Sequence, residues 1–468
     1  MDDQKRIWGC GLSVDFVTYQ LNEIIEIIGG GTPKRDNPDF WNGDIPWLSV
    51  VDFNNDERYV TSTTEKITLQ GLARSSTKLL DTGDIIISAR GTVGCLAQLS
   101  KPMTFNQSCY GLRGKNNLII NDYLYYLLKI KVNELKQKTH GAVFDTITRE
   151  TFSHINVNIP KSVSKQKKIA KFLSDLDDKI HINNQTNQTL ESIAQAIFKS
   201  WFIDFEPVRA KIAAKQTGQD PERAAMCAIG GKSEAELEQM AKDDFAELQA
   251  TAALFPDELV ESELGEVPRG WGIGKLKEII DFNPTRTLKK DSLAPYLDMK
   301  NVPTRGHLVD EVILRNMTSG TKFINGDTLL ARITPCLENG KTAYVDFLLD
   351  NEVGWGSTEF IVLRPKEHLP TALGYFIARQ ENFRNLAIQS MTGTSGRQRA
   401  NADTLANQSW LIYPADLMII FDKYAGKYLT HMKNNGLQNG ILKNIRDALL
   451  PKLLSGEVDV LLLQQEGA

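Results

Sequence analysis

The amino-acid sequence predicts an α+β fold, in which two globular domains of twisted β-sheet with flanking helices are separated by two long antiparallel coiled-coil helices. Near the middle of the chain, a long stretch repeats apolar residues at heptad spacing. The same pattern returns near the C-terminus, and a region of strand-like runs precedes each of the two stretches. The order domain–helix–domain–helix therefore predicts a tandem repeat with pseudo-two-fold symmetry.

The central helix is predicted from Lys165 to Trp201, because its seam positions recur in alternating steps of four and three residues. At 1.5 Å per residue, about 37 residues form a rod of roughly 55 Å. Two seam positions are asparagines, which cost stability and fix the register or the partner of a coiled coil. The seam residues are Ile169, Leu173, Leu176, Ile180, Asn183, Asn187, Leu190, Ala194, Ile197 and Trp201.

The second helix repeats this seam about 250 residues later, with both asparagines in step. Pro451 falls inside this second seam and predicts that the helix kinks or ends early. The matching residues are Tyr428, Met432, Asn435, Asn439, Leu442, Leu449 and Leu453, which correspond to Leu176, Ile180, Asn183, Asn187, Leu190, Ile197 and Trp201. The predicted interface of the helix pair consists of these residues of both helices, without Tyr428 and Leu453.

The composition indicates a cytoplasmic protein. Apolar residues make up 41% of the 468 residues and charged residues 24%, which is typical of soluble globular chains. The sequence has no apolar run of about 18 residues, as a membrane span requires, and no signal-peptide layout at Met1. The five cysteines are scattered without a C-x-x-C pair, so neither a disulfide framework nor a zinc site is expected.

The net charge of −4 is unevenly distributed. Residues 206–270 hold 7 basic and 14 acidic side chains, so the rest of the chain is mildly basic. Local clustering rather than the total decides whether a protein binds nucleic acid. The overall charge therefore neither supports nor excludes a nucleic-acid partner.

Residues 1–160 form the first predicted domain, and the central helix region covers residues 161–206. Glycines predict a tight loop, and runs of β-branched residues predict strands. The elements are, in order, a loop at Gly29–Pro33, strands at Ile45–Val51 and Gly83–Ala89, a helix at Asn121–Lys138 and a strand at Ile155–Ile159.

Residues 207–270 are predicted to be an acidic helical insertion followed by a polar connector at Leu259–Trp271. Ser233 and Glu236 have the spacing of a capping box, which predicts the start of a helix. Aromatic residues crowd the preceding helix end, namely Phe198, Trp201, Phe202 and Phe205. Two interpretations stay open: anchors for a partner subunit, or a local core with residues 206–270.

Residues 271–415 repeat the first domain, and residues 416–468 form the C-terminal helix and tail. Leu276–Ile280 resembles Leu21–Ile25, and Gly326–Arg332 resembles Gly83–Arg90, so that Arg332 is predicted to match Arg90. An apolar helix is predicted at Thr371–Ala387.

Two related but different domains held apart by a rod suit a ligand that repeats along one dimension. Duplex DNA is such a ligand, because successive major-groove faces are about 34 Å apart. The sequence therefore favours a bipartite, asymmetric DNA target with an unread gap, whose length follows the helices.

Several motifs occur in a fixed order along nearly the whole chain. They are Gly29–Pro33, Gly83-Asp84-Ile85 and Gly326-Asp327-Thr328 before a strand, Ser357–Phe360 before Leu363–Pro365, and Ala196–Phe202 closing the central helix. With the domain–helix–domain–helix order, they resemble the specificity subunits of Type I restriction–modification enzymes.

The resemblance implies a DNA-recognition subunit with two target-recognition domains, each recognising one half of a split sequence. It also implies that the long helices bind two methyltransferase subunits, and restriction subunits through them. S-adenosylmethionine, ATP and Mg²⁺ are then expected in the partner subunits, with no cofactor in this chain. The long acidic segment at 206–270 departs from a simple linker.

No catalytic or metal-binding residue is predicted. Asn283-Pro284-Thr285 lacks the second proline of a base methyltransferase motif, and Gly340-Lys341-Thr342 lacks the upstream glycine of a phosphate loop, because Pro335 is there. The histidines have no metal-ligand spacing. Two rival functions remain: a self-sufficient methyltransferase with a diverged motif, and a helical scaffold that does not bind DNA.

Candidate DNA contacts are basic and amide residues on predicted loops, since phosphate contacts position a protein and base-edge contacts specify the sequence. Each has a competing structural role, such as an ion pair or a loop-stabilising bond. The candidates in the first domain are Lys34, Arg35, Arg90, Thr92, Asn106, Gln107, His140 and Arg149. Those in the second domain are Arg286, Lys289, Lys290, Arg332, Ser395, Arg397, Gln398 and Arg399.

Overall fold

The structure is a computed structural model, and it describes residues 16–55, 57–115, 117–137, 146–394 and 397–460. It divides into two compact units, Met1–Ile182 with Gln438–Ala468, and Asn183–Leu437. Both boundaries fall inside long helices, so each long helix contributes residues to both units. The prediction of a mixed α+β fold with two long helices is confirmed.

The first unit contains a five-stranded sheet of order β2-β9-β6-β7-β4, a three-stranded sheet of order β5-β3-β8, and the pair β1-β10. Its strands are β1 (Phe16–Gln20), β2 (Ile25–Gly29), β3 (Trp41–Leu48), β4 (Tyr59–Val60), β5 (Glu65–Ile67), β6 (Ile85–Ser88), β7 (Leu96–Leu99), β8 (Thr104–Phe105), β9 (Cys109–Gly114) and β10 (Asn156–Pro160). All four residues of β6 are buried, because this central strand is covered on both faces.

The helices of this unit follow the chain as α1 (Leu21–Ile24), α2 (Leu69–Ala73), α3 (Asn121–Gln137) and the start of α4 (Val163–Phe202), with short 3-10 turns at Pro38–Phe40, Val50–Asp52 and Thr151–His154. The apolar face of α3 packs on β6 and forms one core with the first turns of α4. Gln166 ties α4 to the domain, since its buried amide bonds to the backbone of Leu118, Ile120 and Pro160.

The second unit begins with a helical insertion and ends in the second long helix. Its helices are α5 (Glu206–Thr217), α6 (Pro221–Gly230), α7 (Glu234–Glu238), α8 (Lys242–Ala253), α9 (Ala372–Arg379), α10 (Glu381–Gln389), α11 (Ala402–Ala406) and α12 (Ala415–Ser455). The Ser233–Glu236 capping box forms at the start of α7 as predicted. Short 3-10 turns occur at Leu276–Glu278 and Met299–Asn301.

The sheets of the second unit have the orders β14-β21-β18-β19 and β16-β15-β20-β17, with the pairs β13-β22 and β11-β12. Their strands are β11 (Leu259–Ser262), β12 (Gly265–Pro268), β13 (Gly272–Lys275), β14 (Ile280–Phe282), β15 (Leu293–Leu297), β16 (Ile313–Asn316), β17 (Thr321–Phe323), β18 (Thr328–Ala331), β19 (Thr342–Tyr344), β20 (Gly354–Gly356), β21 (Phe360–Pro365) and β22 (Ser409–Ile412). The order β14-β21-β18-β19 repeats β2-β9-β6-β7, and β3–β8 and β15–β20 are both parallel pairs. This shared topology is consistent with the predicted tandem repeat.

The strand register corrects one predicted correspondence. Ile85 pairs with Leu112, and Thr328 pairs with Leu363 at the same place in the second domain. Counting from these pairs, Arg332 is level with Ala89 rather than with Arg90. The prediction was wrong because Gly83–Arg90 is one residue longer than Gly326–Arg332, and only the sheet shows where the extra residue lies.

The long helices pack antiparallel within each unit. In the second unit, Asn187 of α4 bonds to Asn435 of α12, whereas the Phe198 ring lies 5.5 Å from the Phe421 ring. Later residues of α4 therefore meet earlier residues of α12. In the first unit, Asp177 of α4 pairs with Arg446 of α12.

Pro451 does not end the second long helix, which continues to Ser455. The expected early end was wrong because tertiary packing holds the last turn. Leu450, Leu453 and Leu454 are buried in the core of the first unit, and a proline removes only one backbone hydrogen bond.

Two further element predictions were wrong. The connector at Leu259–Trp271 contains the β11–β12 hairpin, because burial of Val267 against Phe205 and Trp271 overrides its polar composition. The helix expected at Thr371–Ala387 is two helices. Gln380 interrupts it with an extended backbone, and its side-chain amide bonds to Gln195 and to the Phe376 carbonyl.

The aromatic residues at the end of α4 lie in a local core. Phe198, Trp201 and Phe202 are almost completely buried, together with Phe255 and Trp271. The interpretation as exposed anchors for a partner subunit is therefore wrong, and the alternative of a core shared with residues 206–270 holds. The insertion also has a small core of its own, around Met226 and Leu248. Across the part of the chain that the structure describes, no helix is both long enough and apolar enough to cross a membrane.

Candidate nucleic-acid interface and helix pair

In the first domain, four loops meet at one edge of the five-stranded sheet. Backbone hydrogen bonds join Gly31 to Phe105 (3.0 Å), Ala89 to Ser108 (2.8 Å) and Ile147 to Ala89 (3.0 Å). The loops that follow β2, β6 and β8 therefore form one surface with the segment before β10. The structure brings the following predicted contact residues to this surface: Arg90, Thr92, Asn106, Gln107 and Arg149.

Two arginines of this surface are exposed. Neither Arg90 nor Arg149 has an ion-pair partner among the residues that the structure describes. One Arg149 guanidinium nitrogen lies 3.6 Å from the point where a Gly29 side chain would begin, so the guanidinium lies beside the end of β2. Thr92 is also exposed, and its carbonyl accepts a bond from the Ser88 hydroxyl. His140 lies outside the described residues.

The two amide candidates also stabilise the loops. The Asn106 side-chain oxygen accepts from the Ser108 backbone N–H at 3.0 Å, and the Gln107 side-chain oxygen accepts from the Thr32 hydroxyl. Within the described chain, the amide nitrogens of both residues make no hydrogen bond. Each amide is thus oriented by its oxygen and retains two donors for a ligand.

Lys34 and Arg35 differ in their surroundings. Lys34 is exposed, and its ammonium group has no partner in the described part of the chain. The Arg35 guanidinium donates to the Glu65 carboxylate at 2.9 Å and lies 4.0 Å from the Trp41 ring centre and 4.9 Å from that of Trp47. Its charge is therefore already balanced by a carboxylate.

The second domain assembles a corresponding edge. Backbone hydrogen bonds join Arg332 to Glu359 (2.9 Å), Ala400 to Arg332 (2.8 Å) and Thr334 to Gln398 (3.1 Å). The loop before β21 and the loop after α10 therefore meet at the end of β18. The structure brings Arg332, Arg397, Gln398 and Arg399 together here, and Ser395 lies outside the described residues.

Glu359 is a member of this edge that sequence reasoning did not single out as a site residue, although the Ser357–Phe360 motif contains it. Arg399 donates to both of its carboxylate oxygens, with contacts of 2.6 and 2.9 Å. These bonds lower the pKa of the Glu359 carboxyl below its ordinary value, and the nearby charge of Arg332 lowers it further. Arg397 remains exposed, with no carboxylate partner among the described residues.

The three basic candidates before β15 separate into two groups. Arg286 pairs with Asp327 at 3.1 Å, and this completely buried carboxylate also pairs with Arg364. Arg286 therefore has a structural role in the sheet. Lys289 and Lys290 are exposed and have no ion pair in the described chain.

The predicted helix-pair residues are all buried or half-buried. They are Leu176, Ile180, Asn183, Asn187, Leu190, Ile197, Trp201, Met432, Asn435, Asn439, Leu442 and Leu449. In the second unit, the Asn435 amide donates to the Asn187 side-chain oxygen at 2.8 Å, and the Asn187 amide donates to the Met432 carbonyl at 3.3 Å. This polar pair in an apolar seam defines one register of the two helices.

We expect the single substitution Asn435→Leu to destabilise the chain by about 1–3 kcal/mol, because it leaves the Asn187 side chain without its partner. The double substitution Asn187→Leu/Asn435→Leu should be close to neutral, because an apolar pair replaces both amides. Urea unfolding of the full chain measures both. Gln188→Ala, an exposed change on the same helix, should stay within about 0.5 kcal/mol. A double variant that loses as much stability as Asn435→Leu, or more, would contradict the pairing.

A buried polar network joins the first domain to both long helices within the first unit. Asp177 of α4 accepts from the Tyr126 hydroxyl at 2.7 Å and pairs with Arg446 of α12 at 2.5 Å. The Tyr126 hydroxyl also lies 3.3 Å from Arg58, which pairs with Asp122 at 2.7 Å. Asp177, Arg446 and Arg58 are all less than a tenth exposed.

The outer faces of the long helices carry exposed aliphatic side chains. They are Ile182 and Ile193 of α4 and Ile419, Leu437, Ile441 and Ile445 of α12. Their exposed fractions lie between 40% and 60%.

Comparison with known proteins shows which proteins this chain is similar to. Residues 13–192 match the family model described as "Type I restriction modification DNA specificity domain". The specificity subunit of the Type I restriction enzyme MjaIX, from Methanocaldococcus jannaschii, is 25% identical over 461 residues, which cover 95% of this chain and 94% of that protein. Over nearly its whole length the chain is therefore similar to Type I specificity subunits, and its first part contains their DNA specificity domain. The resemblance stated from the motifs is thereby confirmed.

Two further proteins are similar to this chain. The HindI specificity subunit from Haemophilus influenzae is 28% identical over 361 residues, covering 73% of this chain and 78% of that protein. The crystal structure of the Type I restriction–modification S subunit from M. genitalium has the same fold, with a TM-score of 0.51 and 12% identity. That alignment covers 95% of this chain and 97% of the other.

Proposed function

We propose that this chain is the DNA sequence-recognition subunit of a Type I restriction–modification complex. It recognises a bipartite, asymmetric DNA target, one half with each domain. The main observation behind this proposal is that one sheet topology occurs twice, with different residues at the same edge of the sheet. Ala89 and Ser108 in the first domain occupy the places of Arg332 and Glu359 in the second, so two similar frameworks present different groups to DNA.

The exposed residues of the two edges divide into two kinds of contact. Lys34, Arg90 and Arg149 in the first domain and Arg397 in the second have cationic groups available for phosphates or for guanine edges. Asn106 and Gln107 have free amide donors, which suit adenine edges. Arg286 is not part of this set, because the buried Asp327 holds it.

The long helices are the proposed binding sites for two methyltransferase subunits, and restriction subunits join through them. Exposed aliphatic residues such as Ile193, Ile441 and Ile445 provide apolar surface for such contacts. Adenine methylation, ATP hydrolysis and cleavage then belong to the partners, which bind S-adenosylmethionine, ATP and Mg²⁺. This chain contributes recognition without a catalytic step of its own, and the complex acts in the cytoplasm.

Mapping of methylated adenines across a genome tests this function. Cells that carry the chain and its methyltransferase subunit should show a split, asymmetric motif. Cells that lack only this chain should lose that motif completely, because the methyltransferase has no other source of sequence information. Restoring the chain from a plasmid is the control, and it should restore the motif. Unchanged methylation without the chain would contradict the proposal and favour a scaffold that does not bind DNA.

A further inference from the structure

The second sheet of the second domain has one face in the main core, and its opposite face, here called the outward face, carries a small cluster in which Ala294 and Trp355 are buried. Leu297 of β15 and Phe323 of β17 are completely buried, and they pack with Val302 and Val362. Neighbouring residues of a strand point to opposite faces. Tyr296 and Lys322, the residues before them, therefore lie on the outward face.

The strand register places three more residues on that outward face. Trp355 of β20 pairs directly with both Tyr296 and Lys322, and directly paired residues share a face. Arg315 of β16 pairs with Ala294, two positions from Tyr296. Its guanidinium lies 4.8 Å from the Tyr296 ring centre and 5.8 Å from that of Trp355.

Two of the predicted lysines lie beside this face. The Asp291 N–H donates to the Met317 carbonyl at 2.8 Å, and the Met317 N–H donates to the Ser292 carbonyl at 2.9 Å. These bonds hold the turn with Lys289 and Lys290 against the end of β16. We name Lys289, Lys290, Arg315 and Lys322 the cationic sheet face.

The charge of the cationic sheet face is not balanced by ion pairs. None of its four cations has a carboxylate partner in the part of the chain that the structure describes. Asp291 is a single acidic residue in the turn between Lys290 and β15. Arg315 is exposed, yet stacking on two aromatic rings holds its guanidinium in place, so less side-chain entropy is lost when it binds an anion.

In the first domain, the arginine at the corresponding position is paired with a carboxylate. Trp47 is the counterpart of Tyr296, because each pairs in parallel with one strand and antiparallel with another. Arg35 stacks near Trp47 as Arg315 stacks near Tyr296. In the first domain, however, the carboxylate of Glu65 binds the guanidinium. The same framework therefore carries a neutral pair in one domain and free positive charge in the other.

We propose that the cationic sheet face binds the sugar–phosphate backbone of duplex DNA and holds the duplex while the loop residues contact bases. The proposal rests on the proposed function and extends it to Arg315 and Lys322, which have no basic neighbours in the sequence and therefore form no motif. The choice of partner follows from charge, since phosphates are the anions that duplex DNA presents at regular spacing.

The test uses the full chain purified with its methyltransferase subunit and a duplex that carries the mapped motif. Binding constants are measured over a range of salt concentrations. In the variant Lys289→Gln/Lys290→Gln/Lys322→Gln, the slope of log K against log salt should decrease by about 0.9 for each lost phosphate contact. Arg315→Gln, which loses one contact, should lower this slope by about 0.9 on its own. The recognised motif should stay the same, because phosphate contacts carry no sequence information.

The matched control is Lys232→Gln/Lys242→Gln, which removes exposed lysines of the helical insertion and should leave the slope unchanged. Thermal unfolding checks that each variant folds. The lysine variant and Arg315→Gln are measured separately, so that destabilisation by loss of the stacked guanidinium does not obscure the result for the three lysines.

A steep slope in the native complex that stays unchanged in both variants would overturn this inference and leave the proposed function intact. An altered motif would also overturn it, because the face would then contact bases. Loss of subunit binding at an unchanged slope would mean that the face binds an acidic protein surface instead. Absence of any salt-dependent binding by the native complex would contradict the proposed function itself.

Discussion

Replacing residues 1–160 with the corresponding domain of another specificity subunit is expected to change one half of the methylated motif and leave the other half unchanged. The junction tolerates such an exchange because Gln166 of α4 bonds only to backbone groups, those of Leu118, Ile120 and Pro160. A donor domain with the same backbone, and with a hydroxyl at the place of Tyr126 to bond to Asp177 of α4, therefore fits the same helix. The loops that present Arg90 and Arg149 are exchanged as a whole.

The size of the effect follows from the difference between specific and non-specific DNA binding, which is typically 10³- to 10⁷-fold. Methylation of the old half-site should therefore fall to background, and a new half-site should appear beside the unchanged one. The reciprocal exchange of residues 271–415 is the control and should change the other half. A change in both halves after a single exchange would mean that the two domains do not recognise DNA independently.

Asp177→Ala is expected to destabilise the first unit by about 3 kcal/mol, because it removes the buried partner of the Arg446 guanidinium and leaves only the exposed Asp447 paired with it. This loss is a large share of the stability of a typical domain. The substitution also removes the acceptor of the Tyr126 hydroxyl. The double variant Asp177→Leu/Arg446→Met should recover much of the loss, since an apolar pair replaces the buried charges.

Urea unfolding followed by hydrogen exchange of α3 and α4 measures this effect in the full chain. The matched control is Asp175→Ala, which removes the partner of Lys171 on the same helix. Both side chains of that pair are more than half exposed, so the expected loss is at most about 1 kcal/mol. Equal losses of unfolding free energy for Asp175→Ala and Asp177→Ala would mean that burial of the Asp177–Arg446 pair adds nothing to stability.

Local and periodic features could be predicted from the sequence. The heptad seam predicted α4 within about two residues at its start and one at its end, because helical periodicity depends only on neighbours three and four positions apart. The recurrence of two asparagines predicted a second, related helix, and the structure pairs Asn187 with Asn435. The ordered motifs indicated the resemblance to Type I specificity subunits before any coordinates, and the comparisons support it.

The sequence alone determined the α+β class, the two long helices and the family resemblance, because these follow from periodicity and order along the chain. Only the tertiary structure decided that Arg332 is level with Ala89, that Arg286 is held by Asp327, and that Arg315 stacks beside Lys322 on one sheet face. The physical reason is that the state of a charged side chain depends on its neighbours in space. Strands far apart in sequence supply those neighbours, and a shift of one residue in register exchanges the two faces of a sheet.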